Sequence, residues 1–129
     1  MSLQVTSKET KKGSVIVALN GRLDTATAPD CEAALKPFLG GKVRYITLDL
    51  SKLAYISSMG LRVILNACKA MEDRKGRLVA TNMQAPIAKV FEVADILPKT
   101  DVFNNVEEAD QYLDAIQRKE QLSHMEFPE

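Results

Sequence analysis

Two adjacent serines, Ser57 and Ser58, sit where this 129-residue chain could do chemistry. They interrupt the stretch "DLSKLAYISSMGLRVIL", Asp49–Leu65, between an apolar run and an amphipathic pattern that carries Gly60 in its first turn. A hydroxyl at such a junction has two uses. It can cap the helix by accepting a hydrogen bond from a free backbone N–H, which contributes about 1 kcal/mol. It can also accept a phosphoryl group, because the free N–H groups and the macrodipole at a helix start favour an anion. Either serine could be the cap.

Other chemistries lack their parts. A phosphate-cradling loop needs glycines at set spacing ahead of a helix, and neither G-x-x-x-x-G-K-[ST] nor G-x-G-x-x-G occurs. The lysine of "LGGKV" follows its glycines at the end of a helical pattern, not the start of one. His124 is the single histidine and falls near the C-terminus, which leaves no material for a Ser-His-Asp or Cys-His site. No set of His, Cys and carboxylates has metal-ligand spacing, so neither a metal nor a cofactor is expected. Asp24, Asp49 and Glu92 could meet in space, which keeps a carboxylate-dependent enzyme or nucleotide-binding protein as a third reading. The sequence does not read as an enzyme.

The elements that must position the serines follow from periodicity. "LQVTSK" (Leu3–Lys8) alternates as a half-exposed strand does, and "SVIVALNG" (Ser14–Gly21) reads as a second strand antiparallel to it across a short turn. Thr27 is placed to cap a helix that tolerates Pro29 in its first turn and runs to about Leu39. "VRYITLDLS" (Val43–Ser51) has the near-continuous apolar run of a central strand. A helix follows from about Ser58 to Arg74, then the strand "RLVAT", Arg77–Thr81. Strand, long helix and strand form a right-handed crossover, which makes those two strands parallel. A shorter helix is expected at Ala85–Ile96 and a short edge strand at Val102–Phe103. The last helix starts after Asn105, whose spacing to Glu108 is that of a capping box. Its pattern fades after Lys119. The expected architecture is one α/β domain over residues 1–118, with a small mixed sheet of four to five strands and about four helices, followed by a loose tail at 119–129.

On a helical wheel of about 100° per residue that takes Leu61 as zero, Ile64, Leu65, Cys68 and Met71 group as the core face. Met59, Arg62, Val63 and Asn66 fall on the opposite side. Two apolar side chains beside a cation and an amide, next to an exposed serine, have the make-up of a protein-docking surface.

Composition narrows the partners. Seventeen basic and seventeen acidic residues cancel, which argues against nucleic acid or an anionic membrane as the main target. The longest apolar run, Val15–Leu19, is too short to span a bilayer, and the N-terminus lacks the build of a secretion signal. Cys31 and Cys68 read as reduced packing residues. A cytoplasmic protein is expected.

"DLSKLAYISSMGL", together with the upstream "GRLDTATAP", resembles the STAS domain of the bacterial anti-sigma-factor antagonists. The family pattern is a strand ending D-L-S, an apolar spacer, an acidic or small residue, Ser, a small residue, Gly and Leu. Gly21, Leu23 and Asp24 match its upstream G-x-L-D. This chain has Ser57 where many members have Asp, and Met59 where a small residue is usual. The resemblance implies an α/β STAS fold and an antagonist that binds an anti-sigma factor serine kinase and releases a sigma factor. It implies phosphorylation at Ser58, with Ser57 as the alternative acceptor, and resetting by a metal-dependent serine phosphatase. Partner contacts are expected from Asp24, Thr25, Ser57, Met59, Gly60, Arg62, Val63 and Asn66; self-association is left open. A STAS scaffold in a signalling or lipid-transport complex, without a phosphoryl switch, is the alternative.

Overall fold

The computed structural model describes residues 2–11, 13–94 and 102–126. Along the chain run β1 (Leu3–Lys11), β2 (Ser14–Leu23), α1 (Ala28–Leu39), β3 (Tyr45–Ile56), α2 (Ser58–Asp73), β4 (Arg77–Thr81), α3 (Ala85–Ala94), β5 (Val102–Phe103) and α4 (Val106–Glu126). The five strands form one mixed sheet in the order β1-β2-β3-β4-β5. β1 and β2 are antiparallel, joined at the Lys11–Ser14 pair by a short turn in which Gly13 takes a φ of 84°. Glycine carries no Cβ penalty there. β3 is parallel to both of its neighbours, and β5 is parallel to β4.

Alternation along the strands assigns each face its cover. Val15, Val17 and Leu19 of β2, Ile46, Leu48 and Leu50 of β3, and Leu78 and Ala80 of β4 point into one core. Cys31 and Leu35 of α1, Ile64 and Met71 of α2, and Ile87 and Phe91 of α3 close it. On the other face Tyr45 and Val79 meet Ala109 and Leu113 of α4, flanked by Phe103 and Tyr112. β3 lies between the two layers, which is why its first four residues are all buried. Thr81, fully buried, donates its hydroxyl to the Leu48 carbonyl at 3.0 Å and leaves no orphan polar atom there.

Local signals in the sequence carry over to the helix starts, with two changes. Asn105 accepts from the Glu108 N–H at 2.9 Å, and the Glu108 carboxylate returns to the Asn104 N–H at 3.3 Å, a capping box displaced by one residue. Thr27, expected as the cap of α1, makes no side-chain cap bond. Thr27 instead closes a turn with Asp24, whose carboxylate accepts from the Thr27 N–H at 3.0 Å and whose backbone carbonyl accepts from the Ala28 N–H at 2.8 Å, while Thr27 Oγ1 accepts from the Asp24 N–H at 2.9 Å. A turn over residues 25–27 thus precedes α1. The central strand also outruns its expected end at Ser51, because β2 offers it partners as far as Leu23↔Ile56. α4 continues to Glu126, past the Arg118 boundary where a loose tail was expected to begin. Ile96, the expected end of α3, lies outside the described residues.

Candidate functional site

The C-terminal ends of β2 and β3 and the first turn of α2 form the site. Parallel register sets Leu23 against Ile56, and the Ser57 N–H donates to the Leu23 carbonyl at 2.9 Å. The two chain exits are thereby held side by side, with Asp24 and Thr25 leaving one strand and Ser57 and Ser58 leaving the other. Gly60 lets them close. A Cβ on it would stand 2.6 Å from Leu23 Cγ and 3.0 Å from the Leu23 carbonyl oxygen, so any side chain would push α2 off the strand.

The two serines have different jobs. Ser57 is the N-cap, with an extended backbone and its Oγ accepting from the Gly60 N–H at 3.2 Å. Ser58 is the first helical residue and is exposed, as are its neighbour Met59 and, one turn on, Arg62. A group attached to Ser58 Oγ would lie at the start of a 16-residue helix with no acidic residue in its first turn. The helix start itself therefore brings no carboxylate to repel an anion there.

Asp24 faces inward. Its carboxylate is held below the ordinary carboxylate value first by the Thr27 backbone N–H, with smaller help from the Thr27 hydroxyl, the Ala26 N–H and the Arg22 charge. Arg22 Nε lies 3.9 Å from its second oxygen. This residue shapes the loop before α1. Thr25 beside it is exposed, and Asn66 is exposed two turns along α2 from Ser58, about 12 Å down the helix axis.

Two residues expected on the docking face are not on it. Gly60 is buried against Leu23, and Val63 is 8% exposed and part of the main core. The buried stripe of α2 is Gly60, Val63, Ile64, Ala67, Cys68 and Met71, spaced i, i+3, i+4, i+7, i+8 and i+11. Leu61 and Leu65 lie at its margin, half-buried. Taking Leu61 as the centre of the core face rotated the wheel by one residue. The signal that places it correctly is the pair of small residues, Gly60 and Ala67, which mark where the helix approaches its neighbours most closely.

Sequence reasoning also passed over Arg22 and Tyr55. They are register partners on β2 and β3, and the Arg22 guanidinium carbon sits 4.2 Å from the Tyr55 ring centroid. Tyr55 is 41% exposed, as is Met59. Tyr55 was legible only with β3 extended to Ile56, and strict alternation from buried Leu53 would have turned it inward. The register shift between the Gly21↔Leu53 and Arg22↔Tyr55 pairs turns it outward instead.

Asp24, Asp49 and Glu92 have separate surroundings. Asp49 accepts from the Ser51 N–H at 3.1 Å and the Asn82 amide at 3.4 Å, and Glu92 is exposed on α3. Among the described residues no three His, Cys, Asp or Glu side chains could hold a metal ion. Both cysteines are free and buried, and burial pushes the Cys31 thiol up to about 11. No helix among the described residues is long and apolar enough to cross a membrane.

Known proteins share this arrangement. The STAS domain family matches residues 6–109. A Bordetella bronchiseptica protein, BtrV, whose name places it among the anti-sigma factor antagonists, is 36% identical over 97 residues, covering 75% of this chain and 84% of BtrV. The anti-sigma-B factor antagonist of Listeria monocytogenes is 25% identical over 96 residues, 74% of this chain and 84% of its own length. Among solved structures, the anti-sigma factor antagonist SpoIIAA in its unphosphorylated form superposes with a TM-score of 0.76 at 20% identity, covering 87% of this chain and 97% of SpoIIAA. The Bacillus SpoIIAA structure in the phosphorylated form gives 0.70 at 20% identity, covering 85% and 99%. The names of these relatives are those of regulators, not of catalysts. The family match over most of the length, with a relative above 30% identity, shows that this chain belongs to the STAS domain family, among the bacterial anti-sigma-factor antagonists.

Proposed function

We propose that this chain is a phosphorylation-controlled partner switch of the cytoplasm. In the unphosphorylated state it docks on an anti-sigma factor that is a serine kinase, and a sigma factor is released. The kinase transfers a phosphoryl group to Ser58, the complex weakens, and a metal-dependent serine phosphatase resets the chain. The observation that carries this reading is the unequal use of the two serines. Ser57 Oγ is engaged as the cap while Ser58 is exposed at the first helical position. Phosphate at Ser58 adds nearly two negative charges where the helix dipole tolerates them, so the fold survives the modification. The docked state does not. Burying a dianion without a matched cation costs several kcal/mol, and a loss of about 4 kcal/mol is roughly a thousandfold in affinity. That SpoIIAA has been solved in phosphorylated and unphosphorylated forms supports the same reading for its fold-mate here.

The docking residues in this reading are Thr25, Ser57, Ser58, Met59, Arg62 and Asn66, with Asp24 shaping the loop beneath them. The test is to incubate the chain with its cognate kinase and ATP and map the modified residue by mass spectrometry. Ser58 is expected. Modification at Ser57 alone would reassign the acceptor, and none at either serine would favour a scaffold without a switch. In parallel, Ser58→Asp should weaken the kinase complex while keeping the thermal midpoint within a few degrees of wild type.

A further inference from the structure

We propose that the docking face turns off α2 onto the ends of β2 and β3, where the stacked pair Arg22–Tyr55 is its anchor and meets an acidic surface of the anti-sigma factor. This rests on the partner-switch reading above and adds the residues that would supply its affinity. Four observations carry it. Burial of Gly60 and Val63 removes the middle of the face expected along α2. Two positions to either side of Ser57, Tyr55 and Met59 are each 41% exposed, and only Val93 joins them as a large exposed hydrophobic among the described residues. Arg22 is fixed over the Tyr55 ring at 4.2 Å with its side chain still about half exposed. The nearby carboxylate, Asp24, accepts from the Thr27 N–H with one oxygen, and its other oxygen lies 3.9 Å from Arg22 Nε, a long ion pair that helps to hold the guanidinium in place.

These residue types are those that concentrate binding energy. Tyrosine, methionine and arginine are enriched at the centres of protein interfaces, and a stacked guanidinium loses little side-chain freedom on docking. With Arg62 on the adjoining turn the face presents two cations around an apolar platform. A partner surface with carboxylates opposite Arg22 and Arg62, and an apolar side chain over Tyr55 and Met59, complements it in charge and in polarity. A phosphate at Ser58 would set negative charge beside that acidic surface, so the same complementarity supplies the repulsion that ends the complex.

The experiment titrates the full chain with the purified anti-sigma factor kinase cloned from the same genome, in low and high salt. Arg22→Gln and Tyr55→Ala are each expected to weaken binding about thirtyfold or more, the scale of an interface anchor. Tyr55→Phe, which keeps the ring, should stay within about threefold of wild type. Wild-type affinity should fall with salt, and Arg22→Gln should flatten that fall, a readout that a purely structural role would not move. Unchanged thermal midpoints are expected because both side chains are partly exposed. Wild-type affinity in Arg22→Gln and Tyr55→Ala, with Ser58→Asp still disruptive, would overturn the anchor and leave the switch standing. No effect from any of the three would overturn both. Weakened binding with an unaltered salt slope in Arg22→Gln would overturn the acidic partner surface.

Discussion

The two ends of α2 are built to opposite purposes. At its C-terminal end the exposed side chains, Glu72, Asp73 and Lys75, are all charged, and Arg74 turns back onto the fold. Arg74 donates to the Phe38 and Leu39 carbonyls at 3.4 and 3.0 Å and also to the Gly41 carbonyl, which closes the end of α1. Lys75 adopts a φ of 62°, the Gly76 N–H returns to the Met71 carbonyl at 2.7 Å, and the chain enters β4 with no room for a Cβ at Gly76 beside the Arg44 carbonyl. At the N-terminal end the backbone is pinned just as firmly, by Gly60 and the Ser57 N–H against Leu23. Around that anchor, however, Ser58, Met59, Arg62 and Tyr55 remain exposed. A rigid junction carrying exposed side chains is what a binding site needs, since the scaffold holds their geometry before the partner arrives. The difference teaches where to look: the C-terminal end shows water only charged groups, whereas the N-terminal end also exposes Tyr55 and Met59, apolar surface with no cover of its own.

The sharpest way to test that division is Val63→Asp, one turn inside the functional end. A carboxylate in the core should destabilise the fold by about 3 kcal/mol or more, readable by chemical denaturation. Loss of only a few tenths would put Val63 on the surface and return the docking face to the length of α2. Next come the glycines. Gly76→Ala and Gly60→Ala should each cost about 1–3 kcal/mol through overpacking. They should differ in consequence: the stable fraction of Gly76→Ala keeps partner affinity, whereas Gly60→Ala loses it because α2 shifts from Leu23. Equal effects on binding would erase the contrast between the ends.

Smaller changes come from the hydrogen-bonding side chains at each end. Arg74→Ala should cost about 1–2 kcal/mol and leave binding untouched, and Ser57→Ala about 1 kcal/mol. Ser58→Ala should stay within about 0.5 kcal/mol, as exposed positions do. A cost at Ser58 as large as that at Ser57 would reverse the assignment of cap and acceptor. The smallest expected effect belongs to Asp24. Its folded-state value is lowered, so the fold favours the charged form, and the resulting stability is whole above the ordinary carboxylate range. It is lost as pH falls through the folded-state value. The stability gap between wild type and Asp24→Asn should therefore narrow on titration from about pH 5 toward about pH 2. A gap that widened on acidification would show that the carboxylate is not engaged with the Thr27 N–H.

Much of this molecule is written locally. The order of strands and helices, the antiparallel hairpin of β1 and β2, the parallel pair β3 and β4, and the cap at Asn105 all follow from alternation, turn residues and spacings of three or four. Such signals act between residues a few positions apart, so the chain alone carries them. The same holds for the placing of two serines at a helix start.

Tertiary structure decided the rest. Leu61 and Leu65 on one side of α2, and Val63 and Ala67 on the other, give a broad apolar arc with two plausible centres. Which one turns inward depends on Leu23 and on α1, dozens of residues away in the chain. The end of β3 was settled the same way, because Ser51 and Lys52 look like a turn until β2 supplies a ladder that carries the strand to Ile56. That extension turns Tyr55 outward beneath Arg22, and it brings Ser57 to the Leu23 carbonyl. The physical reason is common to all of these. Rotation of a helix and the length of a strand are set by the partners they pack on, and those partners are brought close only by folding.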